Sequence, residues 1–262
     1  MSTFAMHVAK TGLNSQQVKM QVIANNLANV NTTGFKSDRA NFESLLYQIL
    51  RGAGENTSEN TSLTSGLSVG TGTRLLNTSK LFTQGSLIDT GNSLDMSLEG
   101  DGFFQVLMPD GAIGYTRSGA FSRNAQGVVT TASGYPLQPE IQIPAEATSI
   151  NISSDGIVSV QMPGAVNAQE VGQITLADFP NRQGLQPGGE NMLMETPASG
   201  APIVDNPFQA GMGRLVQGAL ESSNVNVVQQ LVDMIETQRA YEVSSKTISS
   251  VDEMMRYIAQ NL

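Results

Sequence analysis

The chain has 262 residues and a mass of 27.8 kDa, and only 14% of its residues are Asp, Glu, Lys or Arg. A net charge of −9 excludes the basic face that a nucleic-acid binder sets against phosphates. With no Cys and a single His, His7, the sequence has no disulfide framework, thiol nucleophile or Cys-built zinc site. No apolar run is long enough to span a membrane, and Lys10, Gln16, Gln17 and Lys19 interrupt any secretory core near the start.

At the N-terminus Met6, Leu13, Met20 and Leu27 recur every seven residues, with Ala9, Gln16, Ile23 and Val30 three positions after each. That period predicts a helix with an apolar seam along one face. Asn25, Asn26 and Asn29 fall near its end, where amides can bond backbone or a neighbouring molecule. Gly34 is expected to take the left-handed conformation that ends the helix, leaving Phe35 to anchor the next segment. From Gly52 to Gly72 Ser, Thr, Asn and Gly dominate, with only Leu63, Leu67 and Val69 to bury, which predicts an extended polar connector.

The middle of the chain changes to period two. Phe103 to Met108 predicts a strand, Pro109-Asp110-Gly111 a turn, and Ile113 to Thr116 the returning strand. Asn124 to Gly127 marks a turn before Val128 to Thr131, and Ile150 to Val160 folds back at Asp155-Gly156. The C-terminus returns to the seven-residue period through Val227, Met234, Tyr241, Ile248, Met255 and Leu262, widened by Leu231, Ile235, Val251 and Ile258. Asn226 followed by Gln229 predicts a capping box at its start. The fold class expected is α+β. Terminal helices form a coiled-coil assembly domain around a central, mostly-β domain of hairpins. The expected divisions are 1–36, 37–74, 75–221 and 222–262.

No constellation assembles a catalytic or cofactor site. His7 has no second His or Cys to join it and reads as a helix-face residue. The glycine-rich stretch Gly66 to Gly72 lacks the Gly-Lys pair of a phosphate loop. Asp95, Glu99 and Asp101 are expected to be solvated carboxylates ahead of a strand. An acid–base pair among them is the alternative that a secreted β-rich carbohydrate-active enzyme would use. No metal and no cofactor is expected.

The run Ala24-Asn25-Asn26-Leu27-Ala28-Asn29-Val30-Asn31-Thr32-Thr33-Gly34-Phe35-Lys36 resembles the signature of the bacterial flagellar rod and hook proteins. Gly102 to Val106, Tyr115 to Phe121, Ser223 to Val227 and Gln238 to Glu242 are similar to further segments of that family, in its order and spacing. The resemblance implies a structural subunit of the flagellar basal body. The chain length and the insertion between Tyr47 and Gly72 resemble the distal part of the rod, with a proximal rod subunit as the alternative. It also implies export through the type III apparatus without a cleaved signal, and a place in the periplasmic rod. The partners implied are further copies of itself, proximal rod proteins, hook or hook-junction proteins and the peptidoglycan-layer and outer-membrane rings. Self-assembly is expected to run through Met6, Leu13, Met20, Ile23, Asn25, Asn26, Leu27, Asn29, Val30, Gly34 and Phe35, and through Val227, Leu231, Met234, Tyr241, Ile248, Met255 and Leu262.

Overall fold

The computed structural model describes residues 2–52, 56–58, 61–62, 64–164, 167–209 and 211–260. By internal contact the chain sorts into two units, each discontinuous in sequence. One comprises Met1–Leu27, Asp38–Ser79 and Asn226–Leu262; the other comprises Ala28–Ser37 and Lys80–Val225. The chain therefore crosses from one unit to the other four times, after residues 27, 37, 79 and 225.

The first unit carries the helices α1 (Ser2–Ala28) and α2 (Val227–Gln260). In α1 the seven-residue series Met6, Leu13, Met20 and Leu27 is half-buried, and Ser15, Ile23 and Asn26 are buried. A buried serine is tolerable only if its hydroxyl is satisfied. Ser15 donates to the Thr11 carbonyl at 2.9 Å and meets the Thr73 hydroxyl at 3.0 Å. Asn226 caps α2 by accepting the Gln229 N–H at 3.1 Å. The expected capping box is only half made, because the Gln229 side chain turns forward to Asp233 at 3.0 Å instead of back to the cap.

Strands bracket the segment expected as an extended connector. Asp38–Ser44 lies beside Thr73–Lys80, and Tyr47–Arg51 pairs antiparallel with Leu67–Gly70, placing Tyr47 opposite Gly70. Short runs rich in aromatic and branched residues (Tyr47, Ile49, Val69) suit a pleated pair, and backbone bonding supplies what the sparse apolar content does not. Leu63 lies outside the described residues.

The second unit is built of antiparallel strands. Among the described residues its largest sheet has seven, ordered Gln186–Gly189, Met192–Met194, Ile113–Thr116, Phe103–Leu107, Leu176–Asp178 and Ile203–Asp205, with Leu137–Gln138 also pairing with Phe103–Leu107. The two expected hairpins form, with Ile113 facing Leu107 and Ile150 facing Val160, and the expected turn at Asn124 to Gly127 joins a third, in which Phe121 faces Thr131. Alternation along the central strand sends Phe104 and Val106 into one core with Leu98, Leu137, Ile141 and Leu176. Phe103 goes to the opposite face, into a second core with Tyr115, Phe179, Leu185 and Leu193. There Phe103 meets Phe82 edge-on at 5.6 Å and Tyr115 meets Phe179 edge-on at 4.8 Å, both favoured aromatic geometries.

Leu98 is fully buried in the larger core. Leu98→Ala is expected to destabilise the β-rich unit by about 2–5 kcal/mol through lost burial and the cavity left behind. Denaturant unfolding followed by tyrosine fluorescence measures it.

Candidate functional site

The signature turn after α1 is built into the β-rich unit. The helix stops at Ala28, so Gly34 does not end it as expected; it lies in the turn beyond. Its φ is +66°, the left-handed region. A Cβ there would fall 2.5 Å from Arg117 C and Ser118 N, so the position also needs the missing side chain for close approach. The Gly34 N–H donates to the Glu221 carbonyl at 2.7 Å, and Asn191 donates its side-chain amide to the Thr33 carbonyl at 2.9 Å. Phe35 is buried, with the Lys80 ammonium 5.2 Å from its ring centroid.

Next to Phe35, Lys36 enters the protein with its charge. Its ammonium donates to Glu221 Oε1 at 2.6 Å and to the Thr83 carbonyl at 2.7 Å. Glu221 Oε1 also accepts the Gly85 N–H at 2.9 Å. Arg117 Nε lies 3.2 Å from Glu221 Oε2, too poorly aligned for a hydrogen bond, so that contact is charge to charge. The remaining Arg117 nitrogens are placed by backbone: Nη1 donates to the Gly102 carbonyl at 2.7 Å and Nη2 to the Gly100 carbonyl at 2.8 Å. These side chains are 5% exposed or less. Burial pushes both the Lys36 and Arg117 groups below their ordinary pKa, and Glu221 opposes the shift in each. A second pairing stands close by, in which Arg182 meets Asp101 at 2.6 Å and Asp178 at 2.7 Å.

Asn224 ties the same turn from the other end of the unit. Its Oδ1 accepts the Ser37 N–H at 2.8 Å, and its Nδ2 donates to the Leu81 carbonyl at 2.7 Å. In the helical unit Asn26 acts on backbone in both directions, accepting the Asp38 N–H and donating to the Asp38 carbonyl, each at 2.8 Å. It also donates to Gln230 Oε1 at 3.2 Å, a direct contact between α1 and α2. Asn25 is exposed, and Asn29 accepts the Thr32 hydroxyl at 3.2 Å. Val30, beyond the end of α1, is half-buried.

On α2 the residues of the seven-residue series differ. Met234, Tyr241, Ile248 and Met255 are half-buried, Val227 and Leu231 are exposed, and Leu262 lies outside the described residues. Thr237 and Val251 are buried, so the covered face alternates Met234, Thr237, Tyr241, Ser244, Ile248 and Val251. Its hydroxyls are satisfied inside the helix: Thr237 donates to the Asp233 carbonyl at 2.6 Å and Ser244 to the Ala240 carbonyl at 2.8 Å. A second apolar stripe, Val228, Val232, Ile235, Val243 and Tyr257, is 45–72% exposed. With about 100° per residue it lies on the side of α2 opposite the covered face.

The carboxylates considered for acid–base work are engaged in structure. Asp95 is buried, against the expectation of a solvated loop group, because Thr90 and Asn92 donate to it at 2.6 and 3.0 Å. Glu99 pairs with Arg214 and Asp101 with Arg182, each at 2.6 Å. His7 is exposed on α1. Among the described residues no group of three or more His, Asp or Glu is gathered to hold a metal ion, and no helix is long and apolar enough to cross a membrane.

Sequence motifs do not reveal the roles of Glu221, Arg117 and Asn224, nor the outer stripe of α2. In a chain so poor in charge, a Lys and an Arg inside otherwise apolar and hydroxyl-rich motifs are the available signal.

Known families match three stretches of the chain. Residues 6–36 match the family described as flagella basal body rod protein. Residues 97–160 match the D1 domain of the flagellar hook protein FlgE/F/G family, and residues 216–261 the C-terminal family of flagellar basal body rod FlgEFG proteins. The chain is 50% identical to the flagellar basal-body rod protein FlgG of Buchnera aphidicola subsp. Acyrthosiphon pisum, over 98% of each chain. Against Caulobacter vibrioides it is 42% identical to the flagellar basal-body rod protein FlgG, over 98% of each chain. It is 29% identical to the flagellar basal-body rod protein FlgF of the same organism, over 98% of this chain and 97% of that one.

Gly34→Ala meets both a left-handed φ and the Arg117–Ser118 backbone. It is expected to cost about 2–5 kcal/mol from backbone strain and overpacking together. Thermal unfolding of the full chain would register this as a clear fall in the melting temperature of the β-rich unit.

Proposed function

Because this chain belongs to the flagellar basal-body rod protein family, we propose that it is a structural subunit that polymerises into the distal rod and carries torque from motor to hook. The observation that carries this reading is the two-sided helix α2. One apolar face is covered within the chain, and the opposite stripe of Val228, Val232, Ile235 and Val243 is left to water. A single helix in a finished monomer needs only one apolar face. A helix between two layers needs both, and a second copy of the chain supplies the second layer. Burying each such side chain contributes about 1.5–3 kcal/mol. Head-to-tail contacts of this kind do not close on themselves and so build a helical polymer.

The strand pair at Tyr47–Arg51 and Leu67–Gly70 supports lateral packing as well, since Leu46, Tyr47, Ile49, Leu50 and Leu67 are all more than half exposed. Greater identity to the FlgG than to the FlgF of one organism favours the distal over the proximal assignment. The low charge fits a homopolymer, in which identical residues recur along every row and like charges at about 4 Å cost about 1 kcal/mol even in water. The protein acts by assembly and not by catalysis. It reaches the periplasm through the type III apparatus and meets further copies of itself, proximal rod proteins, hook or hook-junction proteins and the surrounding rings.

Val232→Glu with Ile235→Glu tests the reading on the exposed stripe. The monomer is expected to keep its helicity and its stability within about 0.5 kcal/mol, while polymerisation and motility are lost. Circular dichroism, sedimentation and electron micrographs of basal bodies measure the outcome. A normal rod carrying both substitutions would overturn it.

A further inference from the structure

We infer that Lys36, Arg117 and Glu221 form a charge-gated latch that lets the signature turn dock only when the far flank of the β-rich unit arrives with it. Lys36 and Glu221 are 185 residues apart, so their pairing spans nearly the whole of that unit. The other bonds at the latch join the same two flanks. Gly34 N–H reaches the Glu221 carbonyl at 2.7 Å, Ser37 N–H reaches Asn224 Oδ1 at 2.8 Å, and Asn224 N–H reaches the Phe35 carbonyl at 3.4 Å.

The order of events is set by what each partner needs. Arg117 is placed early, because it comes directly after the strand Ile113–Thr116 and is held by the carbonyls of Gly100 and Gly102, no more than 17 residues away. Short loops close at lower entropic cost than long ones, so these local pairings precede the long one. With Arg117 in place, the turn cannot dock alone, because it would bring a buried ammonium against a buried guanidinium. Glu221 supplies the counter-charge, with Oε1 on Lys36 and Oε2 facing Arg117. The two flanks therefore enter together. A chain delivered from either end keeps the unit open until the other flank has emerged, and the turn after α1 is not committed before that moment.

Pulse-labelling hydrogen exchange on the refolding full-length chain tests this. Amides of the strands Phe103–Leu107 and Ile113–Thr116 are expected to be protected first. Those of Gly34, Ser37, Gly85 and Asn224 should gain protection in one later phase. In Glu221→Gln the early phase is expected to keep its rate while the later protection falls at least about tenfold. Adding Lys36→Met to Glu221→Gln removes the uncompensated ammonium. The double variant is then expected to recover about tenfold of the lost protection, a coupling of the size that paired charges show. Flank amides protected together with the strands in the unsubstituted chain would overturn the latch. So would a double variant no better protected than Glu221→Gln, and that comparison decides the matter even if the single variant never completes its fold.

Discussion

A carboxylate placed out of reach of water has to be answered by positive charge and by hydrogen bonds, and Glu221 is answered from three places in the chain. Lys36 and Gly85 hold one oxygen and Arg117 faces the other. Stranding one member of such a group costs about 3–5 kcal/mol, against a total stability of about 5–15 kcal/mol for a typical domain. The geometry of the signature turn is a result of that requirement. Gly34 must be bare for the backbone to come close to Arg117, and Phe35 fills the space beside Lys80. The neighbouring Arg182, Asp101 and Asp178 complete a set of three cations and three anions, so the cluster as a whole carries no net charge.

The helical unit solves a different problem. Its covered faces include Ser15, Thr237 and Ser244, which a purely apolar seam would not contain, and each hydroxyl bonds a carbonyl of its own helix. Small, internally satisfied side chains leave those faces compatible with close packing at little desolvation cost. The uncovered stripe of α2 is more apolar than the covered one. That inversion is the feature on which the proposed assembly through α2 rests.

Much of the architecture could be read from local pattern. The period-seven series anticipated both helices, the turn residues Asp110-Gly111 and Asp155-Gly156 anticipated two hairpins, and Asn124 to Gly127 a further turn, because these features depend on residues within about a dozen positions of one another. The Lys36–Glu221 pairing depends on residues 185 apart with no periodic relation, and no window of sequence contains both. Gly34 was legible as a left-handed residue but not as a close-approach residue, since the backbone it touches arrives from Arg117 and Ser118. Asp95 misled for a related reason. Its side-chain partners Thr90 and Asn92 are near in sequence, yet its backbone is held by distant residues, through the Gly218 N–H at 2.8 Å and a bridge to Ala120. Of the outer stripe of α2 only Ile235 was legible, and it was expected to widen the seam and not to face away from it, because the seven-residue rule counts one face of a helix and is blind to the other.

The division of the chain into interleaved segments has a consequence for how the protein can be taken apart. A unit made of one continuous stretch can be excised or transplanted by cutting the chain at its two ends. Here the polypeptide passes between the units after residues 27, 37, 79 and 225, so neither unit is continuous. The short segment 28–37, which the buried charges fasten in place, belongs to the β-rich unit while both its neighbours in sequence belong to the helical one. A single cut therefore frees neither unit whole, and a truncation meant for one removes chain that the other depends on for its connection.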